Sequence, residues 1–556
     1  MVLYSGHMVR APAWVLACLA LAIPLLLPLA VVAGNALAPG GEAWRHLAST
    51  VLPGYVATSL ILIVAVLTGV VLVGVTCAWC VTAFEFPGRR VLEWALLLPL
   101  AVPAYVMAYA YTDWLQFSGP VQTWLREAMG WQRGDYWFPE IRSVGGAAAM
   151  FICVLYPYVY LLTRVAFLEQ SPSVSEAGRT LGLSARAAFF RLSLPLARPA
   201  IAAGAALALM ETLADFGTVA YFGVQTFTTG IFRAWLSMGD AVSAARLSVI
   251  LLAFIAAVVA AERLARGRAR YHDAQRKARR KRRPLRGAGA AAALAACVLP
   301  LAAGFAIPVA LLLNLSLGGG DEQFGPRFAR LAANSATLAA TTAVLAVAIA
   351  LLLAYGARIT RSRIAQGVNR LASLGYAVPG AVIAVGVLIP ATRLDHLMAD
   401  WGWSTGLILT GSVAALVYAY LIRFLGVALQ AVDAGLSRIT PHMEDAARSL
   451  GMGTTATLAR VHAPILRSSL VTAGLLVFVD VMKELPATFV MRPFDFDTLA
   501  VQAYNLASDE RLAEASTASL AIVAVGLLPV IVASRRLVRQ QSETRLAPAL
   551  APAAGA

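Results

Sequence analysis

The sequence predicts an all-α polytopic membrane protein, with about twelve transmembrane helices arranged as two parallel six-helix repeats. Three observations carry that expectation. The 556 residues are 60% hydrophobic and only 13% charged, roughly half the charged share of a soluble domain. Apolar runs long enough to cross a bilayer recur along the chain and leave no stretch for a sizeable soluble domain. A polar stretch from Glu176 to Ile201, EAGRTLGLSARAAFFRLSLPLARPAI, returns from Asp445 to Leu470 as DAARSLGMGTTATLARVHAPILRSSL. Without gaps, Arg179 falls on Arg448, Gly182 on Gly451, Arg191 on Arg460, Pro195 on Pro464 and Arg198 on Arg467.

In chain order, apolar runs predict spans at 13–34, 56–83, 92–112, 145–166, 199–221 and 244–262 in the first half. The second half gives 289–313, 334–356, 371–390, 405–428, 468–490 and 514–534. Residues 1–262 then form one six-helix transmembrane domain and 287–540 the other, joined by a basic linker, 263–286, and followed by a tail, 541–556. Arg10 precedes the run from Trp14 to Val32, which is longer than the apolar core of a signal peptide and reads as an uncleaved first span.

The linker contains Arg279-Arg280-Lys281-Arg282-Arg283, and basic residues follow positive-inside logic, so it is placed in the cytoplasm. Both polar repeats, the turn at Glu85–Arg90 and both termini then also fall inside. Acids such as Glu127, Asp135, Asp240 and Asp497 fall outside. The net charge of +16 is thereby explained by topology and does not call for nucleic acid. The linker serves either as a plain tether or as a contact to anionic membrane lipid.

The duplication extends beyond the polar stretch. Thr58-Ser59 is echoed by Asn334-Ser335, and Pro99–Ala104 by Gly375–Gly380. Parallel repeats imply a pseudo-twofold axis along the membrane normal and a pathway between the halves. Prolines inside the spans are either hinges lining that pathway or packing kinks.

No enzyme constellation is present. There is no GxxxxGK[ST] phosphate loop, and His7, His46, His272, His396, His442 and His462 are scattered. Cys77 and Cys80 have a CxxC spacing without a second pair and read as small packing residues. Energy must come from a gradient or a partner. Each repeated loop offers a glycine at which one short helix ends and a proline at which the next begins. Such a helix either docks a soluble protein or lies on the lipid surface.

The spans after these loops carry acids. Glu211 and Asp215 are four apart and share a helix face, and Asp480 and Glu484 occupy the aligned positions with Lys483 beside them. A charge deep in a span costs about 3 kcal/mol unless it meets water or a partner. The four acids either line an electronegative pathway, where they could transiently ligate a hard cation, or lock helices together through Lys483.

Glu176-Ala177-Gly178, Gly182 and Leu194-Pro195 resemble the EAA motif of binding-protein-dependent ABC importer permeases, as do Asp445-Ala446-Ala447, Gly451 and Ala463-Pro464. Asp445 in place of Glu, Gly178 in place of Ala and Ala463 in place of Leu depart from that motif. The resemblance covers nearly the whole chain and implies a permease with both membrane halves fused. It further implies ATPase coupling through Glu176, Ala177, Gly182, Pro195, Asp445, Ala446, Gly451 and Pro464. The implied partners are two copies of a cytoplasmic ABC ATPase, which bind the ATP and Mg, and a periplasmic substrate-binding protein. No cofactor is then expected on this chain, and the bacterial inner membrane is its location.

The stretches from Glu211 to Gly223, from Asp480 to Thr488 and from Arg492 to Leu499 resemble ferric iron permeases. That resemblance implies ferric iron as cargo and an iron-binding partner. Thiamine permeases share the fused architecture, and polyamine and sulfate permeases share the loop motif. A secondary transporter driven by protons through the four acids is the alternative of another class.

Overall fold

The computed structural model describes residues 5–170, 180, 182–266, 282–318, 325–360, 362–403, 407–437 and 439–546. Among these, eleven helices are long and apolar enough to cross a membrane, and a bent pair supplies a twelfth. In the first half they are α1 (Ser5–Ala36), α2 (Leu52–Ala83), α3 (Ala104–Leu115), α4 (Val144–Glu169), α5 (Leu194–Ala214) and α6 (Ala241–Arg266). The second half supplies α7 (Gly287–Leu317), α8 (Pro326–Thr360), α9 (Gly380–Asp400), α10 (Val413–Leu436), α11 (Ala463–Met482) and α12 (Leu512–Leu546).

The two halves repeat one packing scheme. Helices α2, α4 and α5 form a bundle in the first half, and α8, α10 and α11 form its counterpart in the second. Small residues let these helices approach without a solvent-driven hydrophobic effect. At Val159 of α4, Gly74 of α2 and Gly204 of α5 close in from two sides. A Cβ on Gly74 would lie 2.7 Å from the Val159 Cβ, and one on Gly204 2.7 Å from the Val159 Cα. The first helix of each half reaches into the other half: α1 packs against α8 and α9 as well as α6, and α7 against α2, α3 and α4 as well as α12.

The expected third span, 92–112, is broken. A segment from Arg89 to Ala101 meets Ala104–Met129 at 91°. Pro103 pushes Val102 out of the helical region (ψ 115°), as Pro379 pushes Val378 (ψ 124°) before α9. The ninth span therefore runs from Gly380 to Asp400, later than the expected 371–390.

Prolines also set three wide, π-helical turns, at Phe189–Ser193, Ala302–Ala306 and Leu458–His462. Pro195, Pro308 and Pro464 stand two residues past these turns. A proline ring lacks an N–H and clashes with the carbonyl four residues back, and a widened turn relieves that clash.

On the side of the repeated loops, Glu93 lies buried between Arg89 (2.8 Å) and Arg164, and the Tyr160 hydroxyl donates to the Glu93 carbonyl. The end of the linker pairs there as a short parallel ladder, Phe84–Glu85 with Arg283–Pro284. Residues 267–281 of the linker, including Arg279 and Lys281, lie outside the described residues. Cys77 and Cys80 are buried packing groups within α2, and all described cysteines are free.

Candidate functional site: an acidic cavity and two polar loops

The helices that leave the repeated loops end sooner than the apolar pattern suggests, and this corrects the expected fifth and eleventh spans. Helix α5 stops at Ala214 and a short helix, Gly217–Tyr221, follows it. Helix α11 stops at Met482, followed by Pro486–Met491. Asp215 and Glu484 sit in these breaks rather than on continuous helix faces.

Each acid closes the start of the next short helix. Asp215 accepts the N–H of Thr218 at 2.9 Å and of Val219 at 3.2 Å. Glu484, at the aligned position, accepts the N–H of Ala487 at 2.8 Å and of Thr488 at 3.0 Å. A carboxylate there satisfies donors that a helix start leaves open and meets the positive end of its dipole. Glu484 also receives Arg423 from α10 at 3.2 Å.

Glu211 and Asp480, one turn earlier, behave differently. Glu211 accepts from the Tyr376 hydroxyl at 2.9 Å, a bond that crosses from one half to the other. Asp480 pairs with Lys483 at 3.0 Å. The Tyr105 hydroxyl adds a second link across the halves, to the Lys483 carbonyl at 3.4 Å.

All four acids, Lys483 and Arg423 line one cavity between the halves, with Tyr158 and Tyr376 on its wall. Its volume is about 120 Å³, and it is open at one side. The expected set of four metal-ligating acids is not assembled. Asp215 and Glu484 are turned to backbone N–H groups, and among the described residues no three His, Cys, Asp or Glu side chains group as a metal site requires. Asp480 thus has the Lys483 partner that the lock reading calls for, Asp215 and Glu484 cap short helices, and Glu211 meets a phenol on the cavity wall.

The second polar loop is described almost throughout. Helix Pro441–Ser449, which carries Asp445 and Ala446, ends as Gly451 takes a left-handed conformation (φ 77°) and the Met452 N–H returns to the Ala447 carbonyl at 3.0 Å. Asp445, Ala446 and Gly451 are exposed, and Pro464 opens α11. Arg358, at the end of α8, fixes this loop through Glu444 at 2.6 Å and the carbonyls of Leu436 and Ile439, each at 2.7 Å. In the first loop Gly182 is exposed with φ 73°, and Pro195 stands in the first turn of α5. Glu176 and Ala177 lie outside the described residues.

Arg423, Tyr376, Tyr158 and Glu444 are absent from the sequence-derived set. Arg423 was visible as a lone charge inside the apolar run of α10, and Tyr376 lies within the Gly375–Gly380 segment already noted for its proline. The two remaining residues carry no comparable mark.

Residues 70–270 match the family model described as the inner membrane component of binding-protein-dependent transport systems. A sulfate transport system permease protein of Escherichia coli (strain K12) is 30% identical over 204 residues, covering 35% of this chain and 69% of the relative. The chain belongs to that family of permeases. An Fe(3+)-transport system permease protein of Haemophilus influenzae is 26% identical over 530 residues, covering 94% of this chain and 98% of its own length. A molybdenum transport system permease protein of E. coli is 28% identical over 186 residues, 32% of this chain and 78% of the relative. The iron permease therefore matches nearly the whole chain, whereas the sulfate and molybdenum permeases match about a third of it. The permease is a multi-helix inner membrane component.

Proposed function

We propose that this permease imports ferric iron, delivered by a periplasmic iron-binding protein and driven by two copies of a cytoplasmic ATPase. The observation that carries the cargo is the charge of the cavity: four carboxylates against two cations. Such a wall repels sulfate and molybdate and attracts a hard cation, for which carboxylate and phenol oxygens are suitable neighbours. The full-length match to an iron permease supports the same cargo.

In this reading the two loops transmit the ATPase stroke, with ATP and Mg on the partner. Exposed Met443, Leu450 and Phe190 supply the apolar contacts of the docking face. The left-handed glycines at 182 and 451 set the turns. Loops and termini are cytoplasmic by the distribution of arginine. The outer loop, 113–143, carries exposed Trp124, Trp131 and Trp137 for the binding protein.

The test is uptake of radiolabelled ferric iron into vesicles holding the permease, its ATPase and its binding protein, with labelled sulfate and molybdate as parallel arms. Iron uptake that requires all three components is expected. Uptake of either oxyanion instead would overturn the cargo, and iron uptake by the chain alone under a proton gradient would return the gradient-driven mechanism.

A further inference from the structure

The acids of the cavity are duplicated between the halves, but its cations are not. Glu211 and Asp215 correspond to Asp480 and Glu484, whereas Lys483 corresponds to Ala214 and Arg423 to Val154, which also line the cavity. Both cations therefore come from the second half. One pair is fixed: Glu484 is bound at once to Arg423 and to two backbone N–H groups, and its side chain is 1% exposed. The other pair is loose by comparison. Lys483 holds Asp480 on a flexible stem, and its side chain is 32% exposed. Across the same cavity, Glu211 has the Tyr376 phenol as partner and, among the described residues, no cation within ion-pair distance.

Resting on the cation reading above, we propose that Lys483 is a specificity-determining residue: a tethered monovalent cation that occupies the acidic cavity until cargo of higher charge displaces it from Asp480. The argument is a charge balance. At comparable distances an entering cation is attracted by Asp480 and Glu211, is repelled by the displaced ammonium, and must break the existing pair. For a monovalent ion these contributions cancel. Each additional unit of charge adds the equivalent of one pair. The resident lysine thus sets a threshold that a monovalent ion does not clear and an ion of higher charge does, and removing it strengthens binding of every cation, most for the highest charge.

The full-length permease in lipid nanodiscs tests this by calorimetric titration with Ga(III), a redox-inert trivalent ion, and with Mn(II). Wild type is expected to bind Ga(III) in preference to Mn(II). Lys483→Met should gain affinity for both ions by roughly tenfold or more, and more for Ga(III) than for Mn(II), so that the gap between them widens. Lys483→Arg, which keeps the charge, should retain the wild-type ratio and verifies that position 483 tolerates replacement. Unchanged affinities in Lys483→Met, or a loss for either ion, overturn the role of Lys483 and leave the iron reading standing. A wild type that binds neither ion overturns both.

Discussion

In the first half the break after α5 is closed by Asp215 using backbone N–H groups and Thr218, whereas in the second half the break after α11 is closed by Glu484, which must also neutralise Arg423. The geometry is the same and the chemistry is not. One junction rests on helix capping alone. The other joins a cap to a buried ion pair, so that removing its acid strands a guanidinium in the membrane interior. The comparison teaches that duplication conserved the helix break and its acid while the second half alone took on the cations that line the cavity.

The largest effect is expected where that difference is greatest. Glu484→Ala should destabilise the permease by up to about 3–5 kcal/mol, because it leaves Arg423, only 11% exposed on the cavity wall, without its carboxylate. Asp215→Ala should cost about 0.5–2 kcal/mol, the range for a lost helix cap. Thermal denaturation in nanodiscs, followed by intrinsic fluorescence, orders the two. Combining Glu484→Ala with Arg423→Met should recover part of the loss, since the stranded charge is removed with its partner. Equal costs for the two single variants would break the comparison.

The polar loops should behave alike in both halves. Gly182 and Gly451 have φ of 73° and 77°, and a Cβ at either would meet nothing within 4 Å. Space is not the constraint there; handedness is. Alanine at either position should cost about 1–2 kcal/mol locally and weaken ATPase association, while asparagine, which tolerates the left-handed region, should retain it. Co-purification of the ATPase with each variant reads this out. An alanine variant that keeps full association in one half alone would show that only the other loop carries the coupling.

The spans were legible because hydropathy reports burial in lipid, and the aligned loops were legible because Arg179, Gly182 and Pro195 recur at one constant separation. The breaks after Ala214 and Met482 were not. Small and apolar residues continue through Phe216-Gly217-Thr218-Val219, so hydropathy runs on where the backbone turns. Pro486 was the available mark, since proline suits the first turn of a new helix. The reach of α1 and α7 into the opposite half has no sequence pattern at all, because either bundle offers an equally apolar surface. Arg423 leaves no mark in the repeat, because the aligned position in the first half is Val154.

The smallest effect concerns what joins the halves at the cavity. The Tyr376 hydroxyl spans them to reach Glu211, and Tyr105 reaches the Lys483 carbonyl at a longer 3.4 Å. Tyr376→Phe removes one hydrogen bond to a carboxylate and keeps the ring, so a cost of about 1.5–3 kcal/mol sets the upper range. Glu211 lines an open cavity where water can replace the phenol, which brings the expected loss below about 1 kcal/mol. If the bond instead holds the halves closed, the variant should denature as wild type does while its cavity opens more often. Labelling of an Ala214→Cys reporter, placed on the cavity wall in the Tyr376→Phe background, separates these outcomes. Faster labelling at an unchanged denaturation midpoint assigns the Tyr376–Glu211 bond to the latch between the halves, and an unchanged rate assigns it to the wall alone.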